Sequence, residues 1–91
     1  MRPDFVDAIV GLGDVQITQG KPEAARKPVD YYLALGRKHA DVLLIGVRAG
    51  VAQGDCAAVQ NYARLLRRDF PNGSQVRALP QLLGACANAV K

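Results

Sequence analysis

A chain of 91 residues, 49% of them hydrophobic, holds one domain at most and lies near the lower limit for burying a core unaided. Its net charge of +4 suits an acidic partner or membrane surface, but the excess is modest and spread along the chain, a weak signal for nucleic acid. The longest apolar run, Val42 to Val47, ends at Arg48 and is far too short to span a bilayer; no signal peptide or lipid-attachment cysteine is expected after Met1-Arg2-Pro3-Asp4.

Asp4 is placed to cap a first helix, with Asp7 near its exposed amides. Phe5, Ile9, Leu12, Gln16 and Val6, Val10, Gly13, Ile17 follow helical spacing, so the helix should run to about Thr18 and stop at Gly20. Pro22 fits the first turn of a second helix, whose inward stripe is Ala24, Ala25, Val29, Tyr32 and Leu33. Pro28 removes a backbone donor inside that helix, and a kink is expected there. The helix should end at Gly36-Arg37-Lys38, with cations near its negative end.

A third helix begins around His39 to Asp41. Gly46 and Gly50 lie on one of its faces, each costing about 1 kcal/mol of helix propensity, so close approach of a neighbouring helix is expected. Asp55 is a good cap for a fourth helix that carries Val59, Tyr62, Ala63 and Leu66 inward and Arg64, Arg67, Arg68 outward. Phe70-Pro71-Asn72-Gly73 is a turn. Ser74 can cap a fifth helix to about Val90, which Pro80 can split or bend. No strand-like alternation of useful length occurs, so the class is all-α.

The segment Asp41 to Ser74 has an earlier echo. Ala8-Ile9-Val10 lies over Val42-Leu43-Leu44, Ile17 over Val51 and Gln19-Gly20 over Gln53-Gly54, a constant offset of 34 residues. That is the period of a tetratricopeptide helix pair. The expected architecture is a tetratricopeptide-like α-solenoid fragment: one repeat over about 4–37, a second over about 38–71 and a terminal helix over about 74–90. Because a helix pair cannot bury its own apolar face and about three repeats are usually needed, the chain reads as a fragment or as a capped array that self-associates through exposed repeat ends.

Cys56 and Cys86 have no zinc or redox CxxC spacing. With the turn centred near Pro71-Asn72, they fall at similar heights on antiparallel helices. Two readings stand: a disulfide worth roughly 3 to 4 kcal/mol in an oxidising compartment, or two small buried thiols packing as hydrophobes.

No enzyme chemistry converges, and no cofactor, metal or small-molecule substrate is expected. His39, the only histidine, sits beside Arg37 and Lys38 in a turn, and the aspartates lie mostly at helix ends where capping explains them. Arg64, Arg67 and Arg68 form a basic face, read as the solvated side of an amphipathic helix. A nucleic-acid contact is the lesser reading, since stacking aromatics are absent from that face. Binding of protein remains. First helices of stacked pairs line a groove, and Asp7, Val10, Asp14 and Ile17 should fall beside Asp41, Leu44, Arg48 and Val51. This mixed polar and apolar strip suits an extended protein segment; alternatively it faces a further repeat. Asp14 and Arg48 are expected to approach across it.

Leu43-Leu44-Ile45-Gly46-Val47-Arg48, Gln53-Gly54-Asp55, Tyr62-Ala63 and Leu66-Arg67-Arg68-Asp69-Phe70-Pro71-Asn72-Gly73-Ser74 resemble the closing repeats of the type IV pilus biogenesis family PilF/PilW. Pro3 to Phe5, Ala8, Gln19-Gly20, Ala24-Ala25-Arg26 and Tyr31-Tyr32 look like that family's penultimate repeat. The resemblance implies a periplasmic, outer-membrane-associated lipoprotein, a pilotin that helps the secretin PilQ assemble. It implies a scaffold and not an enzyme, with the secretin or other pilus-assembly components as partner. Generic tetratricopeptide adaptors, such as co-chaperones or peptidoglycan-machinery scaffolds, are the alternative.

Overall fold

The computed structural model describes residues 4–90, with side chains for 6–84 and 86. Five helices follow in order: α1 (Asp4–Thr18), α2 (Pro22–Ala34), α3 (Ala40–Gln53), α4 (Cys56–Asp69) and α5 (Ser74–Val90). There is no strand among the described residues, and the class is all-α.

Local chemistry explains most boundaries. Gly20, Gly36 and Gly54 follow helix ends with φ of 81°, 82° and 73°, left-handed conformations that a side chain would resist. Asp55 caps α4 by accepting from the Ala58 N–H at 3.2 Å. His39 does the same for α3, its Nδ1 accepting from the Asp41 N–H at 3.1 Å. The histidine expected in a solvated turn is therefore a helix cap. Ser74 is not placed before α5 but is its first residue. Whether Asp4 caps α1 lies outside the described side chains.

Both internal prolines are accommodated without dividing their helices. Pro28 lies inside an unbroken α2 and Pro80 inside an unbroken α5. Each removes one backbone donor, and the bonds before and after it carry the helix through.

The core is organised around α3, which packs against all four other helices. Val42, Leu43, Ile45, Val47 and Ala49 are all buried, so α3 has almost no solvent side. Ile9 of α1, Ala25 and Val29 of α2, Val59 and Leu66 of α4 and Leu79 and Cys86 of α5 close around it. Consecutive helices pack in pairs, and α1 with α3 and α3 with α5 pack as next neighbours. Between α2 and α4, among the described residues, long side chains make the connection.

The glycines of α3 serve the close approach expected of them. A Cβ on Gly46 would lie 2.9 Å from Cδ1 of Tyr62, and one on Gly50 would lie 2.7 Å from Cγ2 of Val59. On α1, Gly13 makes the same allowance: a Cβ there would meet Cγ2 of Ile45 at 2.8 Å. Leu12 has the helical spacing of Ile9 but not its burial. It is 53% exposed, whereas Ile9 is buried in the core.

Cys56, the first residue of α4, is bonded to Cys86 near the end of α5, with Cα atoms 5.4 Å apart. Of the two sequence readings, the disulfide is the one the fold adopts. No helix among the described residues is long and apolar enough to cross a membrane.

Candidate functional site

Two surfaces hold polar groups arranged by more than one helix. The first is the strip expected from sequence. Arg48 Nη2 donates to Asp14 Oδ1 at 2.6 Å, joining α3 to α1 across a separation of 34 residues. The strip continues onto α5. Gln75 Nε2 donates to Asp41 Oδ1 at 2.6 Å, again across 34 residues.

The three helices α1, α3 and α5 thus lie side by side with one register. Val10, Ile17, Leu44 and Val51 are half-buried apolar members of this face, and Asp7 is exposed at one edge. On α5 the register adds Gln75, Ala78 and Leu82, each also half-buried. These three were missed because α5 was read as a terminal helix outside the period. The signal was present: Asp41, Leu44 and Arg48 lie 34 positions before them.

The second surface lies between α2 and α4 and was not foreseen. It is an open cavity of about 320 Å³, lined by Arg26, Asp30, Leu33, Asn61, Tyr62 and Leu65 among others. Tyr62 organises it. Its ring lies on Gly46, and its hydroxyl donates to Asp30 Oδ1 while accepting from Arg26 Nε at 3.3 Å. Arg26 Nη1 donates to Gln53 Oε1 at 2.8 Å and to Asp55 Oδ2 at 2.9 Å. One guanidinium therefore ties α2 to the α3–α4 corner and to α4.

The electrostatics follow from these contacts. Burial, reinforced by the hydrogen bond to Asp30, pushes the Tyr62 phenol up to about 12. The Ala58 N–H and then Arg26 hold the Asp55 carboxyl below its ordinary value. Burial works against the Arg26 charge, but its bonds to Asp55 and Tyr62 outweigh that and raise it. The cluster is already paired internally, so its chemistry is that of a structural brace with an open apolar edge at Leu33 and Leu65.

Arg64, Arg67 and Arg68 are exposed on α4, as expected of its outer face. Arg64 donates to Asn61 at 3.1 Å, and Arg68 lies 3.6 Å from Asp69. Lys38 also reaches Asp69, at 3.6 Å. Among the described residues no group of three or more His, Cys, Asp or Glu side chains is arranged to hold a metal ion. No family model, curated protein or solved structure matches the chain.

Proposed function

We propose that this chain is a non-enzymatic, protein-binding scaffold built from tetratricopeptide-like helix pairs. The observation that carries the reading is the repeated register: Arg48 with Asp14, then Gln75 with Asp41, each 34 residues apart. It sets α1, α3 and α5 into one continuous face, the way stacked helix pairs generate an extended binding surface. The face alternates polar tethers with the half-buried side chains of Val10, Ile17, Leu44, Val51 and Leu82. That mixture fits an extended protein segment, whose apolar side chains would cover these residues while its backbone meets the polar ones.

The partner we propose is the outer-membrane secretin of a type IV pilus, with the chain acting as part of a periplasmic pilotin. This rests on the resemblance of Leu44-Ile45-Gly46-Val47-Arg48 and Arg67-Arg68-Asp69-Phe70-Pro71 to the PilF/PilW family. The disulfide between Cys56 and Cys86 supports an oxidising compartment such as the periplasm.

The test is the yield of secretin multimers in cells lacking the gene, complemented with wild type or with Leu44→Lys/Val51→Lys. Multimers should vanish without the gene, return with wild type and stay low with the variant, provided its helical circular dichroism is retained. Unchanged multimers in the deletion strain would remove the pilotin reading. Restoration by a folded variant would remove the proposed binding face.

A further inference from the structure

We propose that the cavity between α2 and α4 is a binding site for a small zwitterion, an α-amino acid with an apolar side chain, whose ammonium is received by Asp30 and whose carboxylate is received by Arg64 and Asn61. The starting observation is a pair that does not form. Asp30 and Arg64 are 34 residues apart, the same sequence relation as Asp14 and Arg48. Asp14 and Arg48 close into an ion pair at 2.6 Å between α1 and α3. Asp30 on α2 and Arg64 on α4 instead line the two walls of an open cavity of about 320 Å³, and both are exposed. Among the described residues Arg64 has no carboxylate partner.

The bonds around the cavity leave these two charges over. Arg26 is matched by Asp55 at 2.9 Å, and the Tyr62 hydroxyl is used twice, donating to Asp30 Oδ1 and accepting from Arg26 Nε. A carboxylate has two oxygens, so Asp30 has Oδ2 for a further donor. Arg64 donates through Nη1 to Asn61 Oδ1 at 3.1 Å. Its other N–H groups and the Asn61 amide N–H groups can receive a carboxylate. Tyr62 acts as a positioning residue, holding Asp30 in place.

Charge and size select the occupant. One acid and one base on facing walls favour a ligand that carries both charges; a simple anion would lie against Asp30 and a simple cation against Arg64. Leu33, Ala58 and Leu65 are half-buried in the same lining and offer a place for an apolar side chain. A volume of about 320 Å³ is at the lower end for ligand pockets and fits one small molecule. The slot is also short. Side chains tie α2 to α4 at Tyr62, and Lys38, just beyond α2, reaches Asp69 at 3.6 Å. Along α4 these two ties are seven residues, about 10 Å, apart, which limits the length of an occupant.

Titration of the isotope-labelled wild-type chain with L-leucine, up to about 10 mM and followed by amide chemical shifts, tests the proposal. The expected result is saturable shifts centred on Leu33, Ala58, Asn61 and Leu65. N-acetyl-leucine, which lacks the ammonium, and leucinamide, which lacks the carboxylate, should each bind at least about tenfold more weakly. Arg64→Gln and Asp30→Asn should each weaken leucine binding by a similar factor with circular dichroism unchanged. Arg67→Gln, which is outside the cavity lining, should bind leucine as wild type does. Absence of saturable shifts, or shifts centred away from the cavity, would overturn the proposal. So would N-acetyl-leucine or leucinamide binding as tightly as leucine, or full binding by folded Arg64→Gln. The titration needs no secretin, so its outcome is read apart from that of the scaffold reading.

Discussion

Gln75 donates to Asp41 across the same number of residues that separates Arg48 from Asp14, and at the same 2.6 Å. The two bonds differ in setting: Gln75 and Asp41 are both half-buried, whereas Asp14 is exposed. Removing the Gln75 amide leaves a partly desolvated carboxylate, so Gln75→Ala should cost about 1 to 2 kcal/mol. Asp14→Ala should cost less than about 1 kcal/mol, because an exposed ion pair is screened by water. Urea unfolding of each variant, with the slope unchanged, checks the order of the two costs.

Gly46→Ala tests the packing beneath Tyr62. A methyl group there would meet three atoms of the ring, at 2.9 to 3.0 Å. The ring cannot swing aside freely, since its hydroxyl is held by Asp30 and Arg26. The helix-propensity gain of about 1 kcal/mol should therefore be outweighed by overpacking of about 1 to 3 kcal/mol. Thermal unfolding should show a lower Tm for Gly46→Ala, and a smaller drop when it is combined with Tyr62→Phe.

Acid stability should report Asp55. Its folded carboxyl lies below the ordinary value of 3.8. The stabilisation is thus complete above that value and is lost as the pH falls through the lower, folded one. Asp55→Asn should be less stable than wild type at neutral pH, and the difference should shrink as the solution is acidified. A pH-independent difference would show that the cap and the Arg26 contact do not depend on the charge.

At the alkaline end the sign reverses. With the Tyr62 phenol at about 12 when folded against 10.0 ordinarily, its contribution is full below pH 10 and is lost as the pH rises through 12. In Tyr62→Phe that part of the alkaline loss should be absent. Phenolate absorbance of the folded chain should show a late-titrating component that Tyr62→Phe removes.

Reduction of the bond between Cys56 and Cys86, which lie 30 residues apart in sequence, should cost about 3 to 4 kcal/mol by the chain-entropy argument. For a chain of this size that is a fall in Tm of very roughly 15 to 30 °C. Thiol counting under denaturing, non-reducing conditions should find none in the oxidised protein.

Much of the helical framework was readable from local chemistry. Gly20 and Gly54 mark helix ends, Asp55 caps α4, and Gly46 and Gly50 announce a close neighbour by their cost. The approach of Asp14 to Arg48 was readable as well, since a fixed period places equivalent residues on adjacent helices. What local pattern could not supply was which side of α1 meets a neighbour. Leu12 has the spacing of a core residue, yet its exposure depends on helices that the pattern does not contain. The Tyr62 cluster was hidden for a similar reason: Arg26 and Asp30 gain meaning only when α4 brings a phenol between them. Pro28 and Pro80 were judged by helix rules alone, and each lies inside one continuous helix.

The cross-link from the start of α4 to the end of α5 also sets a direction for loss of structure. A stacked array ordinarily frays inward from either terminus, shedding one element at a time. Here α5 cannot leave without straining a covalent loop that encloses the last hairpin. Opening of the oxidised chain therefore proceeds from α1, and amide exchange should be fastest there. Reducing the chain would make both ends vulnerable, so oxidation acts as a ratchet that decides which end lets go first.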